Sequence, residues 1–256
     1  MDAIVIAGGR PKPDEPLYEE TQGGFKALLD VAGKPMVQWV LDALNEAANI
    51  EHVVIIGLPA DSPIQCTKAV SFIPTQGDMV DNVRGGVSEI VQANPASVKV
   101  VIASADIPGI TAEMVDWLVG ESESDDLDVY YNIIPRSIME ERYPTSERSY
   151  TRLKDHEVCG GDMNVLATRM VTSNTDIWDK LVAARKNPFK QAALIGYDTL
   201  FLLLIRAITL NRAVELVTKR LNITGRAILC PYAEVGMDVD KPFQLDIVRQ
   251  DLAGSD

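Results

Sequence analysis

Apolar residues in this chain follow two rhythms. Short apolar runs at 3–7, 53–56 and 98–103, the last interrupted only by Lys99, lack the polar alternation of half-exposed strands, and predict strands buried on both faces, as in a parallel sheet. Between them, Met36, Val37, Val40, Leu41 and Leu44 recur at helical spacing. They predict a helix over 35–48, with Pro35 suited to its first turn, and a second helix follows over 79–93. Strand alternating with helix predicts an α/β doubly wound sheet. Ligands of such sheets bind beyond the carboxyl ends of the strands, where Gly8 and Asp106 fall.

From about 168 to 222 the pattern turns helical, with a boundary at Asn187-Pro188 and an apolar run at 200–205. That run is far shorter than the roughly 20 residues needed to span a bilayer. Arg206, Arg212, Lys219 and Arg220 follow it, so an interfacial helix touching a membrane is one reading. Core packing or a homodimer contact is the favoured one, because most apolar helices of globular proteins are buried. The absence of an internal repeat or long linker predicts one domain over 1–256 with a helical insertion at about 168–222.

Charge narrows the partners. The net charge of −13 repels nucleic acid and anionic membrane overall, so an anionic substrate needs a local cationic pocket. Met1 leads directly into a predicted core strand, which leaves no room for a signal peptide and predicts a cytoplasmic protein. Cys66, Cys159 and Cys230 are too few and scattered for a disulfide framework.

The first strand runs straight into Gly8-Gly9-Arg10. Paired glycines there let the backbone approach a ligand closely, and their bare amides can cradle phosphate oxygens. A plain strand-to-loop corner is the alternative. Lys26 lies between Gly23-Gly24 and an apolar stretch, where a compact ammonium could reach phosphates held by the loop. A second signal is Ala105-Asp106-Ile107-Pro108, a carboxylate placed just after a buried strand. It can bind a hard divalent cation, or serve as a turn residue before a helix capped by Thr111.

Ala7-Gly8-Gly9-Arg10, Lys26-Ala27-Leu28-Leu29 and Gly33-Lys34-Pro35-Met36 together resemble the signature of the MobA-like nucleotidyltransferases. The resemblance implies a Rossmann-like three-layer α/β/α fold of the nucleotide-diphospho-sugar transferase type, with a mainly parallel, mixed sheet. It also implies an NTP bound with Mg2+, and transfer of its nucleotidyl group to a phosphorylated small-molecule acceptor with release of pyrophosphate. On that basis Ala7, Gly8, Gly9, Arg10, Lys12 and Lys26 bind the nucleotide, with Arg10 and Lys26 catalytic alongside Asp106. Here the loop departs from the family pattern: Lys12-Pro13 and an acidic stretch from Asp14 to Glu20 delay the lysine. That leaves the charge-stabilising role open between Arg10 and Lys12.

The resemblance further makes Asp106 the metal-binding aspartate and assigns a second metal-binding carboxylate within Gly236-Met237-Asp238-Val239-Asp240, favouring Asp240. Asp240 is also placed to cap a helix over 242–252. Gln76, Gly77 and Asn82 match a loop that contacts the nucleobase, with Asp78 a candidate helix cap. Gly160, Gly161 and Asn164 resemble an acceptor-facing loop, and Arg148 and Arg152 just upstream are candidate phosphate ligands or ordinary surface ion pairs.

Other chemistries find little support. With only His52 and His156, His156-x-x-Cys159 lacks the companions of a zinc site, and no Ser-His-Asp arrangement can be argued. Neither the Gly-x-x-x-x-Gly-Lys-Ser/Thr loop nor the Gly-x-Gly-x-x-Gly fingerprint occurs. A nucleotide-sugar glycosyltransferase on the same fold and a non-catalytic nucleotide-binding module are the two alternatives.

Overall fold

The computed structural model describes residues 1–173 and 188–254. Strand β1 (Asp2–Ile6) lies within a nine-stranded sheet, third from one edge, paired in parallel with β4 (His52–Ile56) on one side and β6 (Lys99–Ser104) on the other. β5 (Ala69–Ile73) adds a fourth parallel strand outside β4. The three strands expected from apolar runs are therefore present, each within a residue or so of its expected bounds. Their registers explain the position of the site: Ile6 is level with Ile56 and with Ser104, so three loops leave the sheet side by side.

The other half of the sheet is mixed. β10 (Met163–Ala167) lies antiparallel between β6 and β7 (Val129–Pro135). β7 then pairs antiparallel with β9 (Glu157–Gly160) and parallel with β11 (Gly225–Leu229), while β8 (Thr151–Arg152) edges β9. A small hairpin, β2 (Asp30–Val31) with β3 (Lys34–Pro35), turns through Gly33 at φ 85° and stands apart from the main sheet.

Strict alternation of side chains along β1 builds a core on each face. Ala3 and Val5 pack toward Val37, Leu41 and Leu44 of the Met36–Glu46 helix, whereas Ile4 packs toward Val83, Val87 and Ile90 of the Met79–Ala93 helix. All of these are buried, and each larger aliphatic side chain contributes about 2 kcal/mol relative to exposure. This is the α/β/α arrangement expected, and the Met79–Ala93 helix starts as the sequence suggests, with the Asp78 carboxylate accepting from the amides of Val80 and Asp81.

Thr111 stands at the start of the Ala112–Glu123 helix but its side chain makes no capping bond. The expected cap of the last helix, Pro242–Leu252, is corrected more substantially. Gln244 Oε1 accepts from the amides of both Asp240 and Lys241 at 2.9 Å, reaching back as a third-position glutamine does. The Asp240 carboxylate is thereby released for other work.

Among the described residues, the helical insertion includes Arg169–Thr172, Pro188–Ile195, Tyr197–Leu204 and Leu210–Leu221. Residues 174–187, including Asn187 of the expected boundary, lie outside the described residues, and Pro188 opens the next helix. The apolar run at 200–205 is split. Leu202 and Leu203 pack with Leu210 and Leu216 over Ile133, Leu153 and Ile208, but Phe201, Leu204 and Ile205 are exposed. Among the described residues, no helix is long and apolar enough to cross a membrane.

Candidate active site

The start of the loop after β1 is held by backbone contacts. Ala7 donates its amide to Ile56 O at 2.9 Å, and Gly8 passes so close to Gly57 that a Cβ on Gly57 would sit 2.3 Å from Gly8 Cα. Gly57 also has φ 96°, so glycine answers both a steric and a conformational demand there. A Cβ on Gly9, in contrast, would meet nothing within 4 Å. The α-carbon of Gly9 therefore borders open space, which leaves room for a ligand beside the loop. Gly9 O accepts the Lys26 amide at 2.9 Å, tying the loop to the short 3-10 turn Lys26–Leu28 across the intervening acidic stretch.

Arg10 stacks its guanidinium over the Phe25 ring, 3.8 Å from the centroid. Both line a cavity of about 690 Å³ with Gly8, Gly57, Phe72 and Thr75, large enough for a nucleotide-sized ligand. Lys12 is exposed, and its amide donates to Glu15. Beside Thr75, the buried Asn82 accepts from the Gln76 amide at 2.7 Å and from the Thr75 hydroxyl at 3.2 Å. Asn82 thus shapes the loop from within. Gln76 bonds its own side chain to Pro74 O, and Gly77 turns at φ 144°, where a Cβ would collide with Asp81.

Opposite the glycine loop, two aspartates converge on one lysine. Lys26 Nζ donates to Asp106 Oδ2 and to Asp240 Oδ1, each at 2.6 Å. The loops carrying the carboxylates are joined by Val239 N to Asp106 O at 3.0 Å, and Asp106 is fixed to β1 through Ala105 N to Ile6 O. Burial alone would lower the Lys26 pKa, but the Asp106 and Asp240 carboxylates outweigh it and hold the ammonium above its usual value. Asp106 Oδ1 is buried and has no hydrogen-bond partner. Among the described residues no group of three histidine, cysteine, aspartate or glutamate side chains forms a ready-made metal cage.

Sequence reasoning overlooked Asp162. Its carbonyl accepts from Ser104 N at the end of β6 and its amide donates to Val235 O, which fixes it beside the other acids. Burial, then the charges of Asp106 and Asp240, push its carboxyl up to about 6, against the opposing pull of Arg148 and Lys26. Arg148 is largely buried, pairs with Asp238, and lies 3.9 Å from Asp162. The two aspartates of the 236–240 segment thus divide the cations, Asp238 taking Arg148 and Asp240 taking Lys26. The only sequence signal for Asp162 was its place directly after Gly160-Gly161.

The other acceptor-side candidates sit as follows. Asn164 Oδ1 accepts from the Asn132 amide and its Nδ2 donates to Gly161 O, so this side chain braces the loop. Gly161 donates its amide to Asn132 O, and a Cβ on Gly160 would come within 2.6 Å of the Tyr131 hydroxyl. Arg152 is half-exposed and pairs with Glu157 at 3.3 Å, as a surface ion pair would.

The chain is similar to known proteins to different extents. The MobA-like NTP transferase domain profile matches residues 3–145, more than half of the chain. A hypothetical transferase structure from Thermus thermophilus is 30% identical, covers 95% of this chain and 98% of its own, and superposes with a TM-score of 0.81. The structure of a CMP:2-keto-3-deoxy-manno-octonic acid synthetase complexed with CTP shares the fold at 14% identity and a TM-score of 0.61, covering both chains fully. N-acetylmuramate alpha-1-phosphate uridylyltransferase of Neisseria meningitidis is 43% identical over 54 residues, which span 21% of this chain and 22% of that protein.

Proposed function

The chain belongs to the MobA-like NTP transferase family, and from that premise we propose that it transfers NMP from an NTP to a phosphorylated, sugar-like small molecule and releases pyrophosphate. One observation carries the reading: Lys26, tied through its amide to the glycine loop, meets Asp106 and Asp240 at the carboxyl edge of the sheet. A phosphate cradle, a cation and two hard oxygen donors in one place are what nucleotidyl transfer requires.

An ionised acceptor phosphate is already nucleophilic, so no protein base is needed, and positioning plus charge neutralisation supply the acceleration. The Gly8 and Gly9 amides and the Lys26 ammonium would hold the triphosphate, with Arg10 facing the pyrophosphate as it leaves. The cavity beside Gly8, walled by Phe72 and Thr75, would take the nucleoside, and the Gln76–Asn82 loop would close its edge. Arg148 would meet the acceptor phosphate, and Asp162 would orient the acceptor's polar groups. Gly160 and Gly161, braced by Asn164, would keep that approach free of side chains.

The residues also fit a divalent cation. Carboxylate oxygens suit Mg2+, and the buried, partnerless Asp106 Oδ1 is an acceptor that the protein itself leaves unused. Asp106 and Asp240 would hold the ion. When bound, it supplies charge neutralisation on the phosphates.

A pyrophosphate-release screen crossing four NTPs with phosphorylated sugars and polyols, each with and without Mg2+, tests the reading. Pyrophosphate appearing only with a matched NTP, an acceptor and the metal is expected. Release of a nucleoside diphosphate from a nucleotide-sugar would replace it with glycosyl transfer.

A further inference from the structure

Between the helical insertion and the outer strands lies a cavity of about 360 Å³ that the transfer reading does not use. Its floor is Val129, Tyr131 and Ile133, alternate residues of β7, and its roof includes Leu203, Ala213 and Val214 from the helices. Apart from a few residues the lining is hydrocarbon, and a pocket of this size and character binds an apolar chain. Polar ends come from Tyr131, Thr218, Arg226 and Thr199; Thr218 donates to Val214 O and Arg226 pairs with Glu121. Thr199 is fully buried in the wall, and its hydroxyl has no hydrogen-bond partner.

The cavity is joined to the acceptor side by Tyr131. Its ring lines the cavity, while its hydroxyl reaches the backbone of Gly160 and feels the charges of Asp162 and Arg148. A ligand spanning the tyrosine would have its anionic head at the buried guanidinium of Arg148 and its tail beneath the insertion. Tyr197, Phe201 and Leu204 of the same helices are exposed, and Ile195 at the cavity wall is partly so, which extends the apolar surface toward the solvent where such a ligand must arrive.

We propose that the acceptor is an amphiphile, a phosphate monoester carrying a hydrocarbon chain, with the phosphate at Arg148 and the chain in the cavity under the insertion. This rests on the transfer reading above. The phosphate oxygen would attack the α-phosphorus of the NTP. The bond from that phosphorus to the β-bridging oxygen breaks, and pyrophosphate departs with the electron pair, leaving a nucleoside diphosphate ester of the amphiphile.

Titration calorimetry of the full chain with glycerol 3-phosphate and with 1-decanoyl-glycerol 3-phosphate, kept below its micellar concentration, tests the assignment. The acylated probe is expected to bind at least about tenfold more tightly, since each added methylene leaves water. Ala213→Phe, which fills the cavity, should erase that preference while NTP binding is unchanged. A series of acyl lengths on the wild-type protein gives the same reading without any variant, affinity rising until the cavity is full.

Equal affinity for the two probes, or binding of the acylated one only as micelles, overturns the proposal. Pyrophosphate release with sugar phosphates would in that case leave nucleotidyl transfer standing. Tight binding of the acylated probe with no pyrophosphate release from any acceptor would instead overturn the transfer reading and keep the cavity as a lipid-binding site.

Discussion

The Lys26 ammonium lies 2.6 Å from the Asp106 carboxylate, across 80 residues of sequence, and the same nitrogen is 2.6 Å from Asp240, another 134 residues on. This contact brings the glycine loop, the end of β6 and the approach to the last helix to one point.

Asp106→Asn keeps the side chain's size and removes its charge. Pyrophosphate release should fall about 100-fold or more, as for loss of a metal ligand, with the melting temperature little changed. Normal Mg2+-dependent turnover in the variant would remove Asp106 from the site.

Lys26→Ala should weaken NTP binding and slow pyrophosphate release, because a cation facing the phosphates is lost, while NMP binding changes less. Equal losses for NMP and NTP, read by calorimetry, would place Lys26 away from the β- and γ-phosphates.

Asp162 carries a pH signature. Its folded carboxyl titrates near 6, above the value of about 4 in an unfolded chain, so the folded state binds the extra proton between those values. The stability this group contributes is complete below about pH 4 and is lost as pH rises through 6. Asp162→Asn should therefore raise the melting temperature relative to wild type at pH 8, with the gain shrinking toward pH 4. A gain independent of pH would show that the charge is not the cause.

Within the insertion, Leu203 packs inward and Phe201 outward. Leu203→Asp places a charge among apolar side chains and should cost about 2 kcal/mol or more, whereas Phe201→Asp should cost little. Denaturant titration of both variants, alongside their oligomeric states, checks the contrast. Destabilisation or dissociation by Phe201→Asp instead would mark the exposed face as a subunit contact.

Much of this site could be read before the fold was known because its chemistry sits at strand ends. Short apolar runs announce β1 and β6, and Gly8 and Asp106 follow closely after them. The antiparallel half was less legible. β7 and β10 carry polar residues such as Asn132 and Asn164 inside the sheet, where they bond to backbone and to each other's strands, so their runs do not stand out. Asp162 is brought beside Asp106 only because β10 inserts against β6, a long-range pairing that no local pattern encodes. Asp240 looked like a helix cap for the same reason: its partner Lys26 is distant in sequence, while Gln244 was near enough to take over the capping.

The most direct test of the account is to identify the products formed from an α-phosphate-labelled NTP, a phosphorylated acceptor and Mg2+. The label is expected to pass to the acceptor as NMP, with one pyrophosphate released for each product molecule. Label left in unreacted NTP with every acceptor, or release of nucleoside diphosphate or inorganic phosphate in place of pyrophosphate, would contradict it.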